Sequence, residues 1–258
     1  MRITVKVGTS TLTHPTGMLN IRRVEKLCRV LSDLKNAGNE IILVSSGAVG
    51  MGVGKLQLKN KPGDIPTKQA AAAVGQCELM YTYDKLFSEY RHNVAQILLT
   101  AGDISSDQRR ENIRNTIDRL MELSAIPIIN ENDSVATDEI VIGDNDTLSA
   151  MIAVTTGSDL LVILSDIEGL YTADPRKDSG AKLIPEVRAI TEEIKALACG
   201  KGSELSTGGM ATKLRAAEIT TEHGIDTVIA SGEDPDILYR IFNGENTGTK
   251  FVSNRATQ

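Results

Sequence analysis

The sequence has 258 residues, 41% of them hydrophobic, and carries 28 Lys and Arg against 34 Asp and Glu for a formal charge of −6. This is the profile of an ordinary soluble chain able to bury a full core, in one large domain or two small ones. The acidic balance argues against a general pull toward nucleic acid or anionic membrane, so any phosphate ligand must be met locally by a few lysines and backbone N–H groups.

Ile3 to Val7 alternates as a strand and stops at Gly8. Asn20 then caps a helix in which Ile21, Val24, Leu27, Leu31 and Leu34 recur at helical spacing, closing at Gly38. Glu40 to Ser45 holds the apolar run Ile41 to Val44, too short for a core helix and suited to a strand buried on both faces. An alanine-rich helix from about Thr67 to Tyr90 precedes a strand over Val94 to Leu99. A polar, arginine-studded helix near Asp107 to Leu123 precedes another over Ile126 to Ile129. After an irregular stretch, a helix from Asp146 to Thr155 leads into Leu160 to Leu164. Tyr171 to Val187, rich in Asp, Pro, Lys and Gly, reads as a hairpin or excursion. Gly209 to His223 is predicted helical, Ile225 to Ala230 a strand, and Asp234 to Phe242 a last helix. This alternation predicts an α/β fold: a mainly parallel central sheet covered by helices on both sides, three layers in all. One domain with two lobes is expected over residues 1–258, with ligands at the carboxyl ends of the strands.

Cys28, Cys77 and Cys199 are odd in number and far apart, with no CxxC pair or Cys/His spacing to suggest a disulfide framework or a zinc site. The first residues enter strand-like alternation at once, leaving no room for a signal-peptide apolar region. No apolar run approaches the ~20 residues that span a bilayer. A cytoplasmic protein with reduced thiols is expected.

Two familiar nucleotide signatures do not apply. Gly54-Lys55 suggests a P-loop, but position 49 is Val and Leu56 stands where Ser or Thr would hold magnesium. Gly50-Met51-Gly52-Val53-Gly54 misplaces the third glycine of a dinucleotide fingerprint. Small-residue turns after predicted strands are more telling. Lys6-Val7-Gly8-Thr9-Ser10 ends the first strand and Ser45-Ser46-Gly47-Ala48 the second, where glycine lets backbone N–H groups approach an anion. Strand alternation puts Lys6 on the pleat face opposite Ile3, Val5 and Val7, so it is either exposed at an edge or buried with an anion. Ser206-Thr207-Gly208-Gly209-Met210-Ala211-Thr212-Lys213 is a second glycine turn, running directly into a helix whose N-terminus suits a phosphate. A linker followed by a surface lysine is the alternative. Two lysine-plus-glycine-turn elements together favour phosphate.

Asn130-Glu131-Asn132-Asp133 follows an apolar strand and fits either a ligand-binding edge or a plain turn. Gly143-Asp144-Asn145-Asp146 opens a helix. Asp144 or Asn145 could cap it, or a carboxylate here could hold two nearby lysines charged when desolvated. Ser165-Asp166 and the loop through Tyr171 could receive a ribose and base, or form a surface turn. His14, His92 and His223 have no catalytic or metal-ligand partners in sequence, and Arg109, Arg110 and Arg114 read as a solvated helix face.

In chain order, VKVGTS, SSGAVG, INENDSVATDEIVIGDNDTLSA, LSDIEGLYTADPR and STGGMATKLRAA span nearly the whole sequence. This set resembles the amino-acid kinase family, and within it the branch acting on the side-chain carboxylate of free L-glutamate in proline biosynthesis. N-acetylglutamate kinases share the glycine turns and lysines but lack the pairing of NEND with GDND. The resemblance implies that Lys6, Lys213 and Asp146 are the catalytic set, the lysines neutralising the transferring phosphoryl group and Asp146 organising them. It implies that Ser46, Asp133 and Asn145 bind glutamate, the last two through its amino group. ATP falls to Lys6, Gly8, Gly47, Ser165, Asp166 and the run Thr207, Gly208, Gly209, Met210, Ala211, Thr212 and Lys213. The N-terminal part would hold mainly the amino acid and the C-terminal part mainly ATP. Mg2+ should bridge the ATP oxygens, with no metal ligands from the protein. Ser206 stands where glycine is common in the family. Proline feedback is a family property, expected to involve Ser134 to Gly143, and a homo-oligomer is expected. Many members continue into a C-terminal PUA domain, expected to be absent here. A sister kinase of N-acetylglutamate, aspartate, carbamate or a nucleoside monophosphate is an alternative, as is a non-catalytic amino-acid sensor. A sensor, however, has no need of charge-neutralising lysines.

Overall fold

The computed structural model describes residues 1–14, 18–58, 60, 62–135, 144–199 and 209–253. Strand β1 (Arg2–Val7) is followed by the single-turn helix α1 (Thr9–Leu12), then α2 (Ile21–Asn36) and β2 (Glu40–Ser45). Helices α3 (Ala48–Lys55) and α4 (Ile65–Ser88) lead to β3 (Val94–Leu99), and α5 (Ala101–Ser105) and α6 (Asp107–Glu122) to β4 (Ile126–Glu131). After α7 (Asn145–Thr156) come β5 (Leu160–Ser165), the short β6 (Glu186–Val187) and α8 (Glu192–Cys199). Helix α9 (Met210–Glu222), β7 (Asp226–Ser231), α10 (Ile237–Phe242) and β8 (Thr249–Phe251) complete the order.

Capping chemistry sets several helix starts. Asn20, Asp64 and Asp144 each accept, through the side chain, the backbone N–H three residues on, and Pro66 occupies the first turn of α4. The sheet order is β3-β4-β2-β1-β5-β7-β8-β6. Neighbours from β3 to β7 run parallel; β8 is antiparallel to β7 and parallel to β6. The carboxyl ends of six strands therefore share one edge. From β1 the chain adds β2, passes to β3 at the edge, fills the gap with β4, then returns to β5 on the other side of β1. That reversal opens a crevice at β1.

Strand alternation divides the core. Ile3, Val5, Val7, Ile41, Leu43, Val162 and Leu164 pack under α2, α4 and α10. On the opposite face Ile42, Val44 and Ile129 meet α6 and α7, and Leu161, Ile163 and Ile229 meet α7 and α9. This is the expected three-layer arrangement. Among the described residues no helix is long and apolar enough to cross a membrane.

Three local readings change. Helix α3 was not expected from a segment so rich in glycine. It forms by flush packing on α4: a Cβ at Gly52 would lie 1.8 Å from the Ala71 carbonyl oxygen, and one at Gly75 1.8 Å from that of Ala48. Strand β4 runs two residues further than its apolar part, through Asn130 and Glu131. The last helix begins at Ile237, not Asp234. The Tyr171 to Val187 excursion contains an antiparallel bridge between Tyr171 and Leu183.

Candidate active site

A polar cleft of about 420 Å³ opens at the carboxyl edge of the sheet, between the ends of β1, β2, β4 and β5. Alternation along β1 sends Lys6 to the face covered by α7, where it is only 7% exposed. Its amine lies 2.6 Å from Asp146 Oδ1. Lys213, one turn into α9 and 3% exposed, places its amine 3.0 Å from Asp146 Oδ2. Two ammonium groups 207 positions apart in sequence thus share one carboxylate, itself 1% exposed. Thr212 Oγ1 donates to the same Oδ2 at 2.8 Å. Burial pushes the Asp146 carboxyl up, but Lys6 and Lys213 more than offset this and hold it below the usual carboxylate range.

The glycine turns lie where the strands end. Gly8 and Gly47 line the cleft and precede α1 and α3. Gly47 has φ +107°, a conformation that favours glycine, and it turns the chain so that Ala48, Val49 and Gly50, at the start of α3, line the cleft wall. Ser165 and Asp166, at the end of β5, line the opposite wall, the serine donating to Asp166 Oδ1 at 3.0 Å.

The β4 side is acidic. Burial raises the carboxyls of Glu131, Asp133 and Asp144 above their ordinary range. The charge of Asp133 adds to the rise at Glu131, whereas Lys68 on α4 partly offsets the rise at Asp133. A cationic group brought among them would lower their cost of ionisation. Nearby, Asn145 donates through Nδ2 to Ser46 Oγ at 2.7 Å and to Asn130 Oδ1 at 2.9 Å.

Of the expected site residues, Lys6, Gly8, Ser46, Gly47, Asp133, Asn145, Asp146, Ser165, Asp166 and Lys213 all line this one cleft. Gly209, Met210 and Ala211 lie at the N-terminus of α9 but do not line it, and Thr212 reaches it through Asp146. Thr207 and Gly208 lie outside the described residues. Asp144 supplies the cap of α7 and Asp146 binds the lysines, so the two readings of that motif fall on separate residues. Thr9, Ser10, Asn130, Glu131 and Asp144 also line the cleft without having been singled out for a role. All sit within motifs already noted, and the signal for Asn130 was an amide ending an apolar strand. None of the three histidines lines the cleft; His223 Nδ1 meets the Ile219 carbonyl at 2.8 Å. Arg109 and Arg114 face solvent and pair with Asp103 and Glu111. Among the described residues no three His, Cys, Asp or Glu side chains converge as a metal-ligand set.

Comparison with known proteins agrees with this geometry. The glutamate 5-kinase of Clostridium perfringens is 53% identical over 98% of this chain and 96% of its own length. That of Clostridium acetobutylicum is 55% identical over 97% and 94%. Carbamate kinase from Giardia lamblia bound to AMP-PNP superposes with a TM-score of 0.70 at 16% identity, covering 98% of both chains, and shares the fold. Residues 1–231 match the profile of the amino acid kinase family. On that match and those relatives, the chain belongs to the amino acid kinase family.

Proposed function

We propose that the chain transfers the γ-phosphoryl group of ATP to the γ-carboxylate of L-glutamate, giving L-glutamyl 5-phosphate and ADP, the first step of proline biosynthesis. The observation that carries this reading is the convergence of Lys6 and Lys213 on Asp146 in one cleft, in a chain about half identical to glutamate 5-kinases along its length.

The nucleophile is already ionised at pH 7, so the reaction needs no strong base. A γ-carboxylate oxygen attacks the γ-phosphorus in line, the bond to the ADP oxygen breaks, and ADP leaves with its electron pair. Catalysis then rests on positioning and on stabilising charge spread over the equatorial oxygens. Lys6 and Lys213 meet that charge, and Asp146 positions both amines. The turns at Gly8 and Gly47, Ser165, Asp166 and the run from Thr207 to Lys213 hold ATP. Ser46, Asp133 and Asn145 hold glutamate, with its ammonium among the acidic side chains. Mg2+ brought with ATP would supply further charge neutralisation, with no ligand set for it among the described protein residues. The family resemblance supports proline as a feedback inhibitor at the glutamate site and a homo-oligomeric assembly. Residues 136–143, in the segment relevant to proline, lie outside the described residues.

Purified protein with ATP and hydroxylamine should yield the hydroxamate of glutamate far faster than turnover occurs with N-acetylglutamate, aspartate or UMP. Equal turnover of N-acetylglutamate, or no trapped acyl phosphate, would reject the reading.

A further inference from the structure

Building on the assignment of the substrate ammonium to Asp133 and Asn145, we propose that Gln76 on α4 is a positioning residue that fixes Asn145 as a hydrogen-bond acceptor. It thereby makes the site select substrates with a free amine. Gln76 does not line the cleft. It is 8% exposed on a helix whose other buried residues are Ala71, Ala72, Gly75, Leu79, Tyr83 and Phe87, where an amide has no packing advantage.

The orientation of the amides follows from one unambiguous donor. The backbone N–H of Glu131 donates to the Asn130 side chain at 2.9 Å, and a backbone N–H can only donate, so the atom it meets is oxygen. The other end of Asn130 is therefore its NH2 group, which donates to Gln76 Oε1 at 2.9 Å. Gln76 Nε2 in turn donates to Gln96 Oε1 on β3 at 3.2 Å. On the cleft side, Asn130 Oδ1 also receives Asn145 Nδ2, whose second proton goes to Ser46 Oγ. Both donors of Asn145 are thereby used. Its Oδ1 is left buried, with no hydrogen-bond partner among the described residues. Buried acceptors without partners are uncommon, and this one asks for a donor from a ligand.

Asn130 is itself 2% exposed. Without the Gln76 acceptor, one orientation of Asn130 leaves its NH2 group unmet and the other sets that group against the Glu131 N–H, so the amide is no longer held in a single orientation. Asn145 can then turn as well and present its NH2 group, which suits a substrate lacking the amine.

The test compares kcat/KM for glutamate with that for glutarate, which keeps both carboxylates and lacks the amine. The wild-type enzyme should prefer glutamate. Gln76→Met, close in shape but without the acceptor, should lower that preference about tenfold and raise the glutamate KM, with the ATP KM unchanged. Gln76→Glu retains an acceptor toward Asn130 and should keep the preference. Full preference in a folded Gln76→Met, or its loss in Gln76→Glu, overturns the proposal; if the methionine variant does not fold, Gln76→Leu, which also lacks the acceptor, takes its place, and full preference there overturns the proposal equally. A wild-type enzyme with no preference would instead sink the ammonium assignment, and this proposal with it.

Discussion

Asp146→Asn is the most informative single change, because it keeps the shape of the side chain while removing the charge that joins the two lysines. The amide oxygen can still accept from one amine, but its NH2 group then faces the other, donor against donor. At an effective dielectric of 20, two unit charges ~4 Å apart attract by ~4 kcal/mol, these pairs at 2.6 and 3.0 Å are closer still, and breaking one buried pair typically costs ~3–5 kcal/mol net. Both ammonium groups are more than nine-tenths buried, so solvent screens little of this. For a chain of this length, that loss lowers Tm by about 10 °C. With the lysines displaced, kcat should fall ~10²–10³-fold. One further consequence separates this account from simple damage. A nucleotide triphosphate brings back the negative charge that the lysines have lost, so a non-hydrolysable ATP analogue should raise the Tm of Asp146→Asn more than that of wild type. Melting curves with and without the analogue, alongside steady-state kinetics, provide the assay. Wild-type Tm and turnover in this variant would show that Asp146 does not organise the lysines.

Other expectations follow from the same geometry. Lys213→Ala should lower kcat ~10³-fold in steady-state assays if the amine acts mainly in the transition state, and a near-normal rate would remove it from the mechanism. Asp133→Ala should raise the glutamate KM about 30-fold through loss of a charge-assisted contact, with little change in the ATP KM; the opposite pattern would reassign the residue. Asp133 is held above the usual range by burial, whereas Asp146 is held below it despite burial by the two lysines. On acidification Asp133 therefore takes its proton first, and a pH series should show the glutamate KM rising before kcat falls. The stability due to Asp146 is in place above its unfolded-state pKa and is lost as pH drops through the lower folded value. Gly75→Ala should destabilise by ~1–3 kcal/mol in denaturant titrations, because its Cβ meets the Ala48 carbonyl oxygen and must push α3 off α4.

Much of the framework could be read from the residues in order. The apolar runs Glu40 to Ser45 and Val94 to Leu99 match their strands end for end, and the caps at Asn20 and the α7 start are written in side chains that satisfy their own helix. Helix α3 was not legible, because Gly50, Gly52 and Gly54 argue against a helix by propensity. It exists through tertiary contact with α4. The polar end of β4 was read as a possible turn for a similar reason, since Asn and Asp favour turns and their place in a sheet depends on neighbouring strands. In the site, the pleat face of Lys6 was legible, and so was the choice between solvent and an anion. That the anion is Asp146, shared with Lys213, was implied only by the family resemblance; its physical basis, β1 beside β5 and α7 packed on α9, is not contained in local sequence. The amide chain from Asn145 to Gln76 was hidden for the same reason: its members come from separate elements and none carries a charge.

The most direct measurement of the central claim is a crystal structure with ADP, an aluminium fluoride mimic of the transferring phosphoryl group, Mg2+ and glutamate. Both the Lys6 and Lys213 amines should lie within hydrogen-bond distance of the mimic, with the glutamate γ-carboxylate in line with it. Either amine turned away from the mimic, or a mimic seated in another part of the molecule, would contradict that claim.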